Sequence, residues 1–194
     1  MIVKDINQLK EKCVPVSALS YGEGENIAKR LLDELSNSKN GIGLAANQIG
    51  INKRVCVINV KEPLYLINPS IINKSSKTFL SREGCLSFPK KYVRTGRHTS
   101  VTVEADNHKG KLSFSAESDN INDAFECACV QHEIDHLDGI TMFERAIVSQ
   151  PYRAPEKIGR NERVTITDGK ETKELKWKKA QPLVECGNWE MASV

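Results

Sequence analysis

The stretch QHEIDHLDG, Gln131 to Gly139, constrains the fold of this chain more than any other. It ends a predicted helix, Ile121 to Leu137, whose apolar residues Ala124, Phe125, Ala128, Cys129, Val130, Ile134 and Leu137 run nearly all the way round. Such a helix is expected to be buried. Asp119 or Asn120 can cap its start and Gly139 can close its end. Two histidines and a glutamate in that setting need partners, because an unpaired buried polar group costs roughly 1–3 kcal/mol. His132 and His136 stand four apart, so both point the same way, about 6 Å from each other. Two imidazoles at that spacing can bind one metal ion. Glu133 sits about 100° round the helix from His132. It is poorly placed as a ligand but within reach of a water on the metal, which is the logic of the HExxH spacing.

The rest of the chain predicts what surrounds this helix. Glu25 to Asn37 places Ile27, Leu31, Leu32 and Leu35 on one helical face, and Asn40 and Gly41 end it. RVCVINV (Arg54–Val60) and LYLINP (Leu64–Pro69) read as strands separated by Pro63. VTVEA (Val101–Ala105) and KLSFSA (Lys111–Ala116) form a hairpin around the Asn107–Gly110 turn. The expected fold class is α+β, with antiparallel strands curved around a central buried helix that carries the HExxH sequence. At 194 residues the chain suits a single domain, 1–194. Within it, residues 1–145 form the core. Residues 146–194 form a tail, with an extended connection (SQPYRAPEKIGRNER) and then a hairpin around Asp168-Gly169.

A net charge of +3 gives no reason to expect nucleic acid or an anionic membrane as a partner. No run approaches the roughly 20 apolar residues of a membrane span, and MIVKDINQLKEK lacks an apolar signal core. The protein is therefore expected in the cytoplasm. The six cysteines contain no CxxC pair and are read as reduced. Cys13, Cys56, Cys127, Cys129 and Cys186 read as small buried hydrophobes or surface thiols. Cys85 differs. REGCLSFP, Arg82 to Pro89, sets it in a loop between strands beside Gly84, where a thiolate can supply the third ligand. Three protein ligands leave a fourth position open, as catalytic sites do. His98 and His108 lie in charged segments and are expected at the surface. In GIGLAANQ, Gly41 to Gln48, a glycine-rich bend could bring the Gln48 amide next to the metal, as a donor to a developing oxyanion.

GIGLAANQ, EGCLS and QHEIDHLDG, in this order, resemble the three motifs of the peptide deformylase family, over roughly Leu9 to Arg145. The EGCLS form resembles the bacterial and organellar branch. The resemblance implies hydrolysis of the N-formyl group from N-formylmethionine on new polypeptides, with release of formate. It implies Cys85, His132 and His136 as ligands of one divalent metal, Fe²⁺ in the native enzyme, with Zn²⁺, Ni²⁺ or Co²⁺ as substitutes. The ligand set alone would have suggested zinc. Glu133 becomes the general acid/base, and Gln48 and the backbone N–H of Leu86 the oxyanion donors. Backbone of Gly43 and Leu44 would pair with the extended peptide. Ile42, Phe125, Ala128 and Cys129 would wall the methionine pocket, and Glu83 and Arg97 would form an ion pair that fixes the metal loop. The partners implied are N-formylmethionyl nascent peptides and, transiently, the ribosome. No membrane or specific nucleic acid is implied, and the chain is expected to be a monomer. The tail departs from the long basic helix of many bacterial members, which suggests a divergent branch, viral (acting in host cytoplasm) or organellar.

Two other readings compete. A HExxH metallopeptidase would cut unformylated substrates and take a third ligand other than cysteine. A silent binding module would hold nascent N-termini without turnover.

Overall fold

The computed structural model describes residues 2–19, 22–38, 40–148, 158–168, 171–185 and 189–192. In chain order the elements are α1 (Ile6–Leu9), α2 (Glu23–Ser36), β1 (Gly43–Ala45), a 3-10 turn (Ala46–Ile49), β2 (Val55–Asn59), β3 (Pro63–Ile67), β4 (Ser70–Lys74), β5 (Thr78–Cys85), β6 (Phe88–His98), β7 (Ser100–Glu104), β8 (Leu112–Ser115), α3 (Ile121–Leu137), β9 (Ala146–Val148), β10 (Arg163–Thr167), β11 (Thr172–Lys176), α4 (Trp177–Glu185) and β12 (Glu190–Met191). The chain divides into two compact units, 1–151 and 152–194.

In the first unit three antiparallel sheets, β1-β2-β3, β4-β7-β8 and β5-β6-β9, combine with helices into a mixed α/β architecture. The apolar face of α2, with Ile27, Ala28, Leu31 and Leu35 buried, packs against β1, β2 and β3. A second core joins Cys56, Ile58 and Leu66 to Val101, Val103 and Phe114 and to Cys127, Cys129, Val130, Ile134 and Leu137 of α3. Burial of apolar surface on this scale is the main term that holds the sheets and helices together.

α3 has the bounds that its sequence predicts. The Asn120 side chain accepts a hydrogen bond from the Asn122 N–H at its start, and Gly139 takes the left-handed conformation just past its end (φ 74°). A Cβ at Gly139 would also run into the Lys10 backbone. The last carbonyls of the helix are satisfied from outside it. Asn47 Nδ2 donates to His136 O (2.7 Å), while Cys13 N–H (2.9 Å) and Arg54 Nη1 (3.2 Å) donate to Leu137 O. The expectation of burial all round holds for Cys127 to Leu137 but not for the first turns, where Ile121 and Phe125 are 55% and 45% exposed. There, Asp123 and Glu126 pair with Lys61 at the surface, which draws that half of the helix to solvent.

Cys85 is the last residue of β5, not part of a loop, and β5 and β6 form the longest ladder of the unit. Cys13, Cys56, Cys127 and Cys129 are buried free thiols, while Cys186 lies outside the described residues. His98 and His108 are half-buried rather than exposed. Their rings lie 2.6 Å from Ser75 O, in the connection after β4, and 3.2 Å from Tyr65 O of β3.

The second unit is a small sheet, β11-β10-β12, with α4 against β10 and β11. Val164, Ile166 and Ala180 form its buried centre, and Trp177 and Trp189 pack on it. The β10–β11 hairpin agrees with the sequence reading. Its end differs: the sequence reading carries the hairpin into Trp177, but Trp177 begins a helix, α4, that runs to Glu185 despite Pro182. The extended connection expected over 149–163 falls mostly on residues 149–157, outside those described.

Candidate metal centre

Two elements supply the three candidate ligands. β5 ends on Cys85, and α3 presents His132 and His136 from adjacent turns, their rings 4.8 Å apart and steeply inclined. Ligand atoms of the three residues lie within 4.8 Å of one another, and Cys85 Sγ is 3.2 Å from His136 Nε2. A tetrahedral site with thiolate at about 2.3 Å and imidazole at about 2.1 Å sets sulfur and nitrogen roughly 3.6 Å apart. The three residues therefore fit one ion with little movement, and their number leaves a position for substrate or water.

A buried chain of charges orients His132. Its Nδ1 lies 2.9 Å from Glu83 Oε2. A carboxylate only accepts, so Nδ1 carries the hydrogen and Nε2 is left to ligate. Arg97 forks onto Glu83 (Nε–Oε1 2.6 Å, Nη2–Oε2 2.8 Å) and reaches Asp135 with Nη1 (2.5 Å). Thr95 Oγ1 donates to Glu83 Oε1 (2.6 Å), and Arg145 binds Asp135 from the far side (2.7 Å). Burial alone would raise the Glu83 carboxyl, but hydrogen bonds from Arg97 and His132 outweigh it and hold the group well below the usual carboxylate range. Burial alone would likewise lower His132, yet hydrogen bonds to Cys85 and Glu83 raise it. The pairing of Glu83 with Arg97 expected from the sequence is present, buried and bidentate.

Gln48 is buried in the 3-10 turn beside β1. Its Oε1 accepts from the Ala45 N–H (2.9 Å), which fixes the amide the right way round. The NH₂ group must then face the other way, where it donates to Cys85 Sγ and Ser87 Oγ, both at 3.2 Å. Leu86 follows Cys85 in the turn between β5 and β6.

Glu133 is buried, and its Oε2 has no hydrogen-bond partner among the described residues. Burial raises its pKa to about 7, against the opposing pull of His132. It lies against β1: a Cβ built at Gly43 would stand 2.5 Å from Glu133 Oε1 and 2.6 Å from Cys129 Sγ. Cys129 Sγ donates to Ile42 O (3.4 Å). Ile42, Gly43, Cys129 and Glu133 are thus brought together, with Leu44 fully buried beside them. Ala128, one turn before His132, is buried, whereas Phe125, two turns before it, is 45% exposed.

A model of the polypeptide deformylase family matches residues 1–151. The chain belongs to the polypeptide deformylase family. It is 45% identical over 142 residues to a peptide deformylase of Desulfitobacterium hafniense, a match that covers 71% of this chain and 87% of that one. Its structure is similar to the actinonin-bound class I type b peptide deformylase of Acinetobacter baumannii, with TM-score 0.65 and 31% identity over 74% of this chain and 95% of that one. It is also similar to the same enzyme bound to Met-Ala-Ser (TM-score 0.64, 29% identity, 75% and 96%). The chain is accordingly a hydrolase of a metal-dependent family, an enzyme that removes the N-formyl group from nascent polypeptides.

Sequence reasoning missed Ser87, Thr95, Asp135 and Arg145 in this deformylase-family site. One signal was available. Ser81 and Glu83 on one strand, and Thr95 and Arg97 on its partner, share an inward face at period two, an unusual run of buried polar residues.

Proposed function

We propose that Cys85 Sγ, His132 Nε2 and His136 Nε2 hold one divalent cation, Fe²⁺ in the native enzyme, and that Zn²⁺, Ni²⁺ or Co²⁺ can take its place. When bound, the cation supplies Lewis acidity to the formyl carbonyl and makes water more acidic. Glu133 accepts the proton of the attacking water and then delivers it to the departing amine. A carboxyl with a pKa near neutrality is suited to both steps. Gln48 Nε2 and the Leu86 N–H donate to the oxygen that becomes negative. Gln48 comes to this role already oriented by Ala45, so little reorganisation is needed as charge develops. β1 is an edge strand, paired only with β2 in its sheet, so its other edge can receive the extended peptide through Gly43 and Leu44. Ile42, Phe125, Ala128 and Cys129 wall the methionine side chain. Formate and a free amino terminus are the products.

In this reading α3 is the central helix around which the sheets of the unit 1–151 are arranged, β9 (Ala146–Val148) extends the core past the expected bound at 145, and the unit 152–194 is an appendage. The enzyme acts as a monomer in the cytoplasm or an organelle, on N-formylmethionyl chains in transient contact with the ribosome, and needs neither membrane nor a specific nucleic acid. The observation that carries the reading is Glu133: a buried carboxylate with an oxygen that has no partner among the described residues, next in sequence to one of two buried imidazoles that face a thiol.

The test is formate release from formyl-Met-Ala-Ser by protein purified without oxygen and loaded with Fe²⁺ or Ni²⁺. Glu133→Ala is expected to abolish turnover while metal analysis still finds one ion per chain. Turnover that survives the substitution would overturn the acid/base assignment.

A further inference from the structure

The Gln48 amide is held at three points. Its Oε1 accepts from the Ala45 N–H (2.9 Å), and its Nε2 donates to Ser87 Oγ and to Cys85 Sγ, both at 3.2 Å. Gln48 and Ser87 are 2% and 1% exposed, so bulk water does not compete for these bonds. The bond at Oε1 alone would leave the amide free to turn about it. Ser87 Oγ takes one N–H and fixes the plane, and the other N–H is then aimed at the sulfur. Gln48, His132 and His136 are the side chains within hydrogen-bond reach of Cys85 Sγ among the described residues. An imidazole nitrogen that ligates a cation carries no hydrogen, so neither histidine can donate to the sulfur while it binds metal. Gln48 is the donor that remains.

We propose that Ser87 is a positioning residue of the metal centre: it holds the Gln48 amide so that one N–H stays on the sulfur of Cys85 and draws charge away from it. The proposal rests on the reading of Cys85 as a metal ligand, and it gives Gln48 a second duty besides the oxyanion. A thiolate that accepts a hydrogen bond gives less electron density to its metal, which is how hydrogen bonds to sulfur tune metal–thiolate centres. Such partners also fix where the ligand atom sits. Ser87 acts through Gln48, not on the cation itself.

The test uses the intact chain loaded with Co²⁺ in the absence of oxygen. A thiolate bound to Co²⁺ gives a charge-transfer band in the near ultraviolet, whose energy follows the electron density on sulfur. Ser87→Ala is expected to move the band to longer wavelength, with one Co²⁺ per chain still found by metal analysis. Gln48→Leu, which removes the donor itself, is expected to move it at least as far, and it tests the sulfur bond on its own should Ser87→Ala not fold. In the double variant, Ser87→Ala should add nothing to the shift of Gln48→Leu, since it works only through that amide. Ser87→Thr, which keeps the hydroxyl, is expected to stay near the parent position. Turnover is a separate readout. Ser87→Ala should lower kcat for formyl-Met-Ala-Ser by about tenfold with KM within about twofold, because a loosened oxyanion donor weakens the transition state and not substrate binding. A band that Ser87→Ala leaves in place, in protein that holds its cobalt, would overturn the proposal and leave the ligand reading intact. An equal shift with Gln48 already replaced would do the same, because Ser87 would then act by another route. A parent chain that binds Co²⁺ without a charge-transfer band would remove Cys85 as a ligand, and the proposal with it.

Discussion

A methyl group at Gly43 would stand 2.5 Å from Glu133 Oε1 and 2.6 Å from Cys129 Sγ, closer than any packed carbon tolerates. Gly43→Ala should therefore displace the Glu133 carboxylate, to which we assign the proton transfers. We expect kcat/KM for formyl-Met-Ala-Ser to fall by about tenfold or more, with a loss of roughly 1–3 kcal/mol in stability from overpacking. Steady-state formate release and thermal unfolding would read the two effects. Glu133 itself carries a pH signature in metal-free protein. Its folded pKa of about 7 lies above the ordinary 4.5. Below pH 4.5 both folded and unfolded chains hold the proton, and there is no penalty. Between the two values the unfolded chain gives up its proton more readily, so stability falls as pH rises and levels off above about 7. The full penalty is on the order of 3 kcal/mol. Glu133→Gln removes it, so the metal-free variant should exceed the parent in urea midpoint at pH 8 and match it near pH 4.5. An equal gain at both pH values would remove the titration as its cause.

At the scale of elements, α3 and the β5–β6 ladder act as one object, because Arg97 joins Glu83 of β5 to Asp135 of α3. Arg97→Ala would leave two buried carboxylates uncompensated. A loss of about 3–5 kcal/mol is expected, along with metal binding weakened by about 10–100-fold as His132 loses its anchored partner. Chelator competition and thermal melts would measure both. The capping residue Asn120 is worth less, about 1 kcal/mol on replacement by alanine. The bounds of α3 were legible because cap, apolar run and Gly139 all agree. β5 and much of β6 were not, for a physical reason. Their inward face carries Ser81, Glu83, Thr95 and Arg97, so the alternation of apolar and polar residues that marks a strand is missing. That Cys85, His132 and His136 come together could be read from motifs and helical spacing. Asp135 and Arg145 could not, since a charged residue on a helix or in a turn looks like a surface residue until a buried arginine is seen beside it. α4 was hidden by Pro182 and by a lysine-rich start that continues the pattern of the hairpin.

At the scale of the whole chain, every candidate site residue lies in the unit 1–151, and the unit 152–194 has a core of its own. A chain ending at residue 151 is therefore expected to release formate with kcat/KM within about threefold of the full chain. A much larger loss, with the truncated chain still folded by circular dichroism, would show that the second unit takes part in turnover. The edge of β1 has a consequence of a different kind. An unpaired strand edge invites any extended segment, including one from another copy of the same protein, and long open edges are where sheets stack into aggregates. β1 is only three residues long and is followed at once by the 3-10 turn. It can hold the first residues of a visiting chain but cannot template a long intruding strand, so the enzyme can stay receptive to unfolded polypeptide without being seeded by it.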